Sequence, residues 1–468
     1  MSGQRHLSVS FQTLTNIVLI LFLSNCAIVP SAPGLEKTQI RWFVGLEIGT
    51  TPEQITTLQE VVSEFNSSQN QIDLRLQVAT AGGAYDALAT QFATREGPDI
   101  IGPISWGIAN TFPGQWLNLN SYIHESNFDL SQYDPALVDF YKNEEGIISL
   151  PFAVSPSAIY FVPSRFDEAG LEPPPQVYGE KYLLDGQAVD WSWDTLAEVA
   201  RRLTIDIYGF NATQPEFDRE QIDQVGFSFE GQNALSIATF FGADQIYAGT
   251  TGNYVSSIHE SWKRAWAWWY DAMWTPHPFM ATGDLADTFE FGKGNVFDAG
   301  KSAMGLSQAW FTCCLTDFHP AGKEFQLAVL PMSDDGMVHG RITEQSFYVW
   351  NQSEHPQEAF QVLAYLVTTG ADKILPVYNA MSAIPDKADT FFTNKALEYP
   401  FVTRDSWNVF IQGLTYTDIP SADQYLPHRS EALNRIQVFA DLLAYSRNLD
   451  FEAEFQKLQD DLTIIYNK

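Results

Sequence analysis

The feature that most restricts the fold is an alternation of two periodicities over residues 39–101. Gln39-Ile-Arg-Trp-Phe-Val44 is an apolar-rich run of strand length. Pro52 opens a segment with Ile55, Leu58, Val61, Val62 and Phe65 at helical spacing, where residues three and four apart share one face. Ile72-Asp-Leu-Arg-Leu-Gln-Val78 returns to period two, a strand with one buried face. A helix is expected over about Ala84 to Thr94, and Pro98-Asp99-Ile100-Ile101 ends in a short buried strand. Strands that alternate with helices pair in parallel, because each helix carries the chain back across the sheet. The prediction is an α/β fold with doubly wound, mainly parallel sheets.

The rest of the chain extends this pattern. Pro173-Pro174-Pro175 marks an exposed loop before a helix that starts near Trp193-Asp194. Residues 260–274 read as a helix with Trp262, Trp266, Trp269 and Met273 on one face, a stripe assigned to the core. Further helices are predicted from Pro356 to Ile374, over about 428–446 and over 450–466. Residues 205–225 read as an insertion, and no internal repeat is found.

The N-terminus carries an address. Arg5 and His6 precede the apolar run Ile17 to Leu23, and no acidic residue occurs before Cys26. That run is too short to span a bilayer, and the layout is that of a secretory signal over residues 1–25. Leu23-Ser24-Asn25-Cys26 is similar to a bacterial lipoprotein box, although Asn25 stands where a smaller residue is usual. The resemblance implies acylation of Cys26, with residues 26–38 as a tether rich in Pro and Gly. The chain from Cys26 is 443 residues long, enough for two or three domains with large cores. The full chain has a net charge of −31, or −32 without residues 1–25, which hold one Arg and no acid. Such a surface repels nucleic acid and anionic lipid. No later segment is apolar over 18 residues, so none is predicted to span a membrane. The expected location is extracytoplasmic, on the outer face of the cytoplasmic membrane or in a periplasm.

Catalytic and metal motifs are missing. Gly294-Asn-Val-Phe-Asp-Ala-Gly300-Lys-Ser places five residues between its glycines, where a phosphate cradle needs four. There is no Gly-x-Ser-x-Gly and no His-Glu-x-x-His. The remaining cysteines, adjacent Cys313 and Cys314, cannot build a zinc site alone. In an oxidising compartment they form either a vicinal disulfide or two small buried residues. No cofactor and no metal is expected. A carboxylate pair for glycoside cleavage is defined by separation in space and stays open.

Several segments then fall in a telling order: Gly97-Pro-Asp-Ile-Ile101 with Trp106; Gly146 to Val154; Ile159-Tyr160; Phe166 to Pro174; Trp193-Asp-Thr-Leu196; Gly300-Lys-Ser-Ala-Met304 with Trp310; Val329-Leu-Pro331; and Glu358-Ala359. This order resembles the extracellular solute-binding proteins of ABC importers, the family that includes maltose-binding protein, over about residues 38–468. Tyr160-Phe161 departs from the family's usual Tyr-Asn. The resemblance implies a type II periplasmic-binding-protein fold, two α/β lobes joined by crossing segments with ligand between them. It implies lobe 1 over 39–152 plus 333–374 and lobe 2 over 153–332 plus 375–468. Crossings are expected near Pro151 to Ser155, Pro331 to Asp335 and Leu375. The implied protein is a monomer and not an enzyme, with ABC permease subunits as partners.

A ligand in such a fold sits at the carboxyl ends of parallel strands. Sugars need polar groups for hydroxyls and aromatic rings for their C–H faces. In the first lobe these rules select Gly45, Leu46, Glu47, Ser105 and Trp106; at the crossing, Ser155; in the second lobe, Gln232 and Asn233. Trp310 matches a sugar-stacking position of the family, and Glu344 and Gln345 follow the strand that re-enters the first lobe. Trp42 is read as core. A mono- or oligosaccharide is the expected solute. The alternatives are a secreted glycoside-acting enzyme, or the same fold with a polyamine or other non-sugar ligand. Anionic ligands are disfavoured because Arg341 is the nearest basic residue to the candidate loops.

Overall fold

The computed structural model describes residues 37–80, 82–143, 145–316, 324–416, 418 and 425–468. The expected signal segment, Cys26 and the tether up to residue 36 lie outside the described residues. Regular structure begins with strand β1, Thr38–Val44. Thr51, Pro52 and Gln54 then start helix α1, Pro52–Ser68, through a reciprocal capping box. Strands β2, Ile72–Val78, and β3, Ile100–Ile104, both lie parallel to β1, with helix α2, Ala84–Ala93, between them in sequence. Both faces of β1 are covered. Ile40, Trp42 and Val44 enter one apolar cluster, while Phe43 enters another with Ile101, Tyr348 and Trp350. Alternate residues of one strand thus serve two cores, as a doubly wound sheet requires.

The sheet continues through the molecule. Its further strands are β4, Ala153–Phe161; β5, Ile222–Phe229; β6, Ser302–Gln308; β7, Gln326–Ala328; β8, Ile342–Val349; and β9, Met381–Ser382. The order is β2-β1-β3-β8-β4-β6-β5, with Ile205–Asp206 on the far edge and β7 and β9 also pairing with β4. The β5–β6 pair is parallel, whereas β4 runs antiparallel to its neighbours. The second half of the sheet is therefore more mixed than the first.

Two strands change partners part-way. Residues 153–156 of β4 pair with 342–345 and 381–382, while residues 157–161 pair with β6 and β7. Strand β8 pairs with β4 over 342–345 and with β3 from Ser346 onward, with a register shift between Ser346 and Tyr348. These exchanges at 153–156, 342–345 and 381–382 form the waist between the two halves. Residues 331–335 do not cross. Met332 N donates to Trp191 O and Ser333 Oγ to Phe240 O, and Asp334-Asp335-Gly336 turns the chain so that Ser333 N meets Met337 O. A polar turn follows the apolar strand, and the crossing comes one segment later.

The outer layers match the apolar periodicity, with one break. Helix α3, Trp193–Leu203, packs on β5. Helix α4, Ala234–Thr239, lies against α5, Glu260–Trp274. Trp262, Trp266 and Met273 are buried, Trp269 is half-buried, and Trp266 Nε1 donates to Ala234 O. Helices α6, Arg429–Tyr445, and α7, Phe451–Tyr466, close the chain. The single helix expected from Pro356 to Ile374 is two, Pro356–Val367 and Ala371–Val377. Two β-branched threonines and Gly370 at the break are poor interior helix formers. No helix of the described residues is long and apolar enough to cross a membrane.

Candidate binding cleft

Strand register brings the candidate loops together. Ile104, the last residue of β3, pairs with Ser346 of β8, and Gln308, the last of β6, pairs with Ser157 of β4. Both partners lie at the waist. The carboxyl ends of the parallel strands of both halves therefore converge on the crossing, and four of the candidate loops start there.

On the first side, Glu47 is the hub. Its carboxylate accepts from Ser105 N at 2.8 Å and Ser105 Oγ at 2.7 Å, and from Gln345 Nε2 at 3.4 Å. Glu344, 3% exposed, accepts from Trp106 N at 2.6 Å. Burial, and after it the Glu344 charge, raises the hydroxyls of Tyr141 and Tyr348 well above the usual tyrosine range. The half-buried Trp106 indole packs on Phe140 and Tyr141, with ring centroids 5.7 and 6.1 Å away. Leu46 packs on the same cluster. Gly45 has φ +117°, and a Cβ there would lie 2.4 Å from Ala79 O, so this position makes the turn rather than offering a side chain.

On the second side, Ser155 Oγ accepts from Trp310 N at 2.7 Å. Trp310 is half-buried, and its six-membered ring lies over Gly231, where an added Cβ would sit 2.6 Å from Cη2. Gln232 and Gln308 exchange two side-chain hydrogen bonds, at 3.0 and 3.3 Å. Gln308 Nε2 also donates to Ser157 Oγ, which in turn donates to Arg341 O, and Arg341 Nη1 approaches Gln232 Oε1 at 3.5 Å. A belt of polar contacts thus runs from Glu47 through Glu344 and Gln345, across the β8–β4 ladder to Ser155, and on to Trp310 and Gln232. Asn233 is used differently. Its Oδ1 accepts from Ser236 N and Ser236 Oγ contacts its backbone, so it caps α4.

Other residues at the cleft were not singled out from sequence. Gln308 and Ser157 sit inside strands β6 and β4, not in the loops after them. Tyr85 lies on α2, and its hydroxyl is raised by burial and by Glu47 and lowered by Arg429. Arg429 comes from the start of α6, so this charge reaches the first half from the far end of the chain. A hollow of about 420 Å³ lies there, bounded by Asn110, Thr111 and Pro113 on one side and by Tyr425, Leu426 and Arg429 on the other. Ile342 N donates to buried Asp418 at 3.0 Å. Trp42 is fully buried with Nε1 bonded to Gly102 O, a core residue. Cys313 and Cys314 are free thiols with sulfurs 2.9 Å apart. Among the described residues no group of three or more His, Cys, Asp or Glu is arranged to hold a metal.

The family model described as bacterial extracellular solute-binding protein matches residues 49–373, well over half of the chain. The chain belongs to this family. Among solved structures, this solute-binding protein is similar to UspC of M. tuberculosis, with a TM-score of 0.70 and 18% identity over 91% of this chain and 100% of that one. It is similar to the sugar-binding protein MalE of Xanthomonas citri, with a TM-score of 0.67 and 14% identity over 92% and 97%. It is also similar to the substrate-binding protein Lmo0181 of Listeria monocytogenes in complex with cycloalternan, with a TM-score of 0.64 and 16% identity over 92% and 99%. These likenesses give a type II periplasmic-binding-protein fold. A lipoprotein of Streptomyces antibioticus is 22% identical over 201 residues, and the match spans 41% of this chain and 39% of that relative.

Proposed function

We propose that this solute-binding protein captures a mono- or oligosaccharide at the waist and delivers it to an ABC permease. The observation that carries this reading is Trp310. Its indole is half-buried, fixed at its backbone by Ser155 and packed over Gly231, the residue before Gln232. A fixed aromatic face beside amides and carboxylates suits a ligand with C–H faces and hydroxyl edges. Glu47, Gln345 and Glu344 supply the acceptors on the opposite side. Structural neighbours in complex with sugars, cycloalternan in one and mannobiose in another, agree with this class. Contact with both halves would favour their closure, since a ligand shifts an equilibrium by its differential affinity for the two forms. In this reading the lobes exchange strands at 153–156, 342–345 and 381–382, and Cys26 holds the protein near its permease by an acyl anchor.

Calorimetry with a panel of mono- and oligosaccharides, with polyamines as the cationic comparison, tests the ligand. Saturable heat with a sugar and silence with polyamines is expected. Silence across all sugars would sink the carbohydrate reading. Palmitate labelling of exported protein, lost in Cys26→Ala, tests the anchor.

A further inference from the structure

The segment Ala309–Cys314 is a 3₁₀ turn that holds Trp310 as its second residue and ends with two adjacent thiols. The sugar reading uses only its first half. Both ends are tied to the frame. Trp310 N donates to Ser155 Oγ at 2.7 Å, Tyr399 OH to Thr312 O at 2.7 Å, and Asn295 Nδ2 to Cys314 O at 3.1 Å. Thr312 Oγ1 donates back to Ala309 O at 3.0 Å. Within this held turn Cys313 is exposed, Cys314 is half-buried, and their sulfurs lie 2.9 Å apart. The two thiols share an S–H···S hydrogen bond in which either can donate, and that bond lowers the Cys314 thiol from its usual value to about 7, against burial. Cys313 is held up by the same bond and by burial, with the Lys395 ammonium opposing. An extracellular protein meets an oxidising solution, in which paired thiols close.

From this placement we infer that Cys313 and Cys314 are a reversible dithiol–disulfide couple whose closure resets Trp310 in the cleft. The couple stands on its own geometry; its effect on affinity rests on the sugar reading. The oxidant is a low-molecular-weight disulfide, RSSR. The Cys314 thiolate attacks one of its sulfurs, forming a mixed disulfide and expelling RS⁻, which takes up a proton. Cys313 releases its proton to water, and its thiolate attacks Cys314 Sγ and expels the second thiol. Two protein thiols and RSSR give one internal disulfide and two RSH. Neighbouring Cα atoms are only about 3.8 Å apart, closer than the roughly 4.4–6.8 Å of ordinary disulfides, so the ring is strained and readily reduced. Strained, exposed disulfides are the labile ones. Closure must move the backbone of the turn, and Trp310 lies one 3₁₀ turn upstream of Cys313.

The test equilibrates the exported chain in mixtures of reduced and oxidised glutathione, traps thiols with N-ethylmaleimide and maps the peptide holding both cysteines by mass. The expected result is a two-electron transition, with the trapped peptide losing both maleimides together. In Cys313→Ser and Cys314→Ser, the remaining cysteine should carry one glutathione instead. Two alkylatable thiols at every ratio, or a stable glutathione adduct on the unsubstituted chain, would overturn the couple. Tryptophan emission read at the same ratios tests the link to Trp310, because a disulfide quenches a nearby indole. The redox-dependent change should vanish in Trp310→Phe, and its full persistence there would overturn the link. The best sugar of the panel should bind the two redox forms with affinities differing by about fivefold or more, a typical coupling between sites. Equal affinities would overturn the functional effect. If no sugar binds, the mass and emission readings still decide the couple, and the failure belongs to the sugar reading alone.

Discussion

At the scale of single residues, Trp310 and Gly231 form one unit. Gly231 has φ +66°, a backbone region that costs a side-chain-bearing residue about 1–2 kcal/mol. Its missing Cβ is also the space that the Trp310 ring occupies. Trp310→Ala removes the aromatic face and should weaken sugar binding roughly 10- to 100-fold by calorimetry, with little change in the urea midpoint. Gly231→Ala should lower both affinity and the urea midpoint, because it adds backbone strain and pushes the ring. Glu230, just before this glycine, makes a separate prediction. It is 1% exposed, and burial pushes its carboxyl up from 4.5 to about 7, against hydrogen bonds from Ser228 Oγ and Phe297 N. Between those two values the unfolded chain ionises first, so the folded state binds more protons. The stability contributed by this group is therefore greatest below pH 4.5 and falls as pH rises to about 7. Glu230→Gln removes that slope. Across this window, unfolding free energies of the two chains should diverge by on the order of 3 kcal/mol in favour of the variant. Parallel pH profiles would show that the carboxyl is not held protonated.

At the scale of elements, the sequence was most readable where period and punctuation agreed. Ile72–Val78 and Glu260–Trp274 have the limits that their residues suggest, because alternation and helical spacing are local signals. The break at Gly370 was not read, since the apolar period continues through Ile374 and masks the weak helix formers Thr368, Thr369 and Gly370 between the two helices. The site divides along the same line. Glu47, Ser105, Trp106 and Trp310 follow parallel strands and could be chosen from loop position. Gln308 and Ser157 sit within strands, and Arg429 arrives from about 380 residues beyond Glu47, so only register and folding bring them near. Asn233, chosen as a polar residue after a strand, also does local work as a helix cap. Asn233→Ala deletes the cap of α4 and should cost about 1 kcal/mol in urea unfolding. Sugar affinity should change far less than in Trp310→Ala. A loss of affinity equal to that of Trp310→Ala would return Asn233 to the ligand.

At the scale of the whole molecule, the question is where a continuous sheet can bend. Strands β4 and β8 run through the waist without interruption, but both change partners there. The register shift between Ser346 and Tyr348 lies where β8 leaves β4 for β3. An interrupted ladder twists more easily than a regular one, and hinge motions concentrate in a few such residues. The halves should therefore rotate about residues 153–156, 342–345 and 381–382 as rigid bodies. The net charge of −31 offers a rival account, in which self-repulsion alone holds the halves apart. The two accounts differ in their response to salt. Repulsion between exposed charges is screened beyond about 10 Å at 0.1 M and about 3 Å at 1 M, whereas contacts inside a closed belt are screened much less. Small-angle scattering with and without saturating sugar separates them, against the roughly 22 Å radius of gyration of a compact chain of this length. Sugar should contract the protein by the same amount at low and high salt, with hydrogen exchange slowed at Ser105, Trp106, Ser155 and Ile342–Gln345. If salt alone produced the contraction and sugar added none, the molecule would be held open by charge, and ligand bridging across the waist would be the wrong account of its closure.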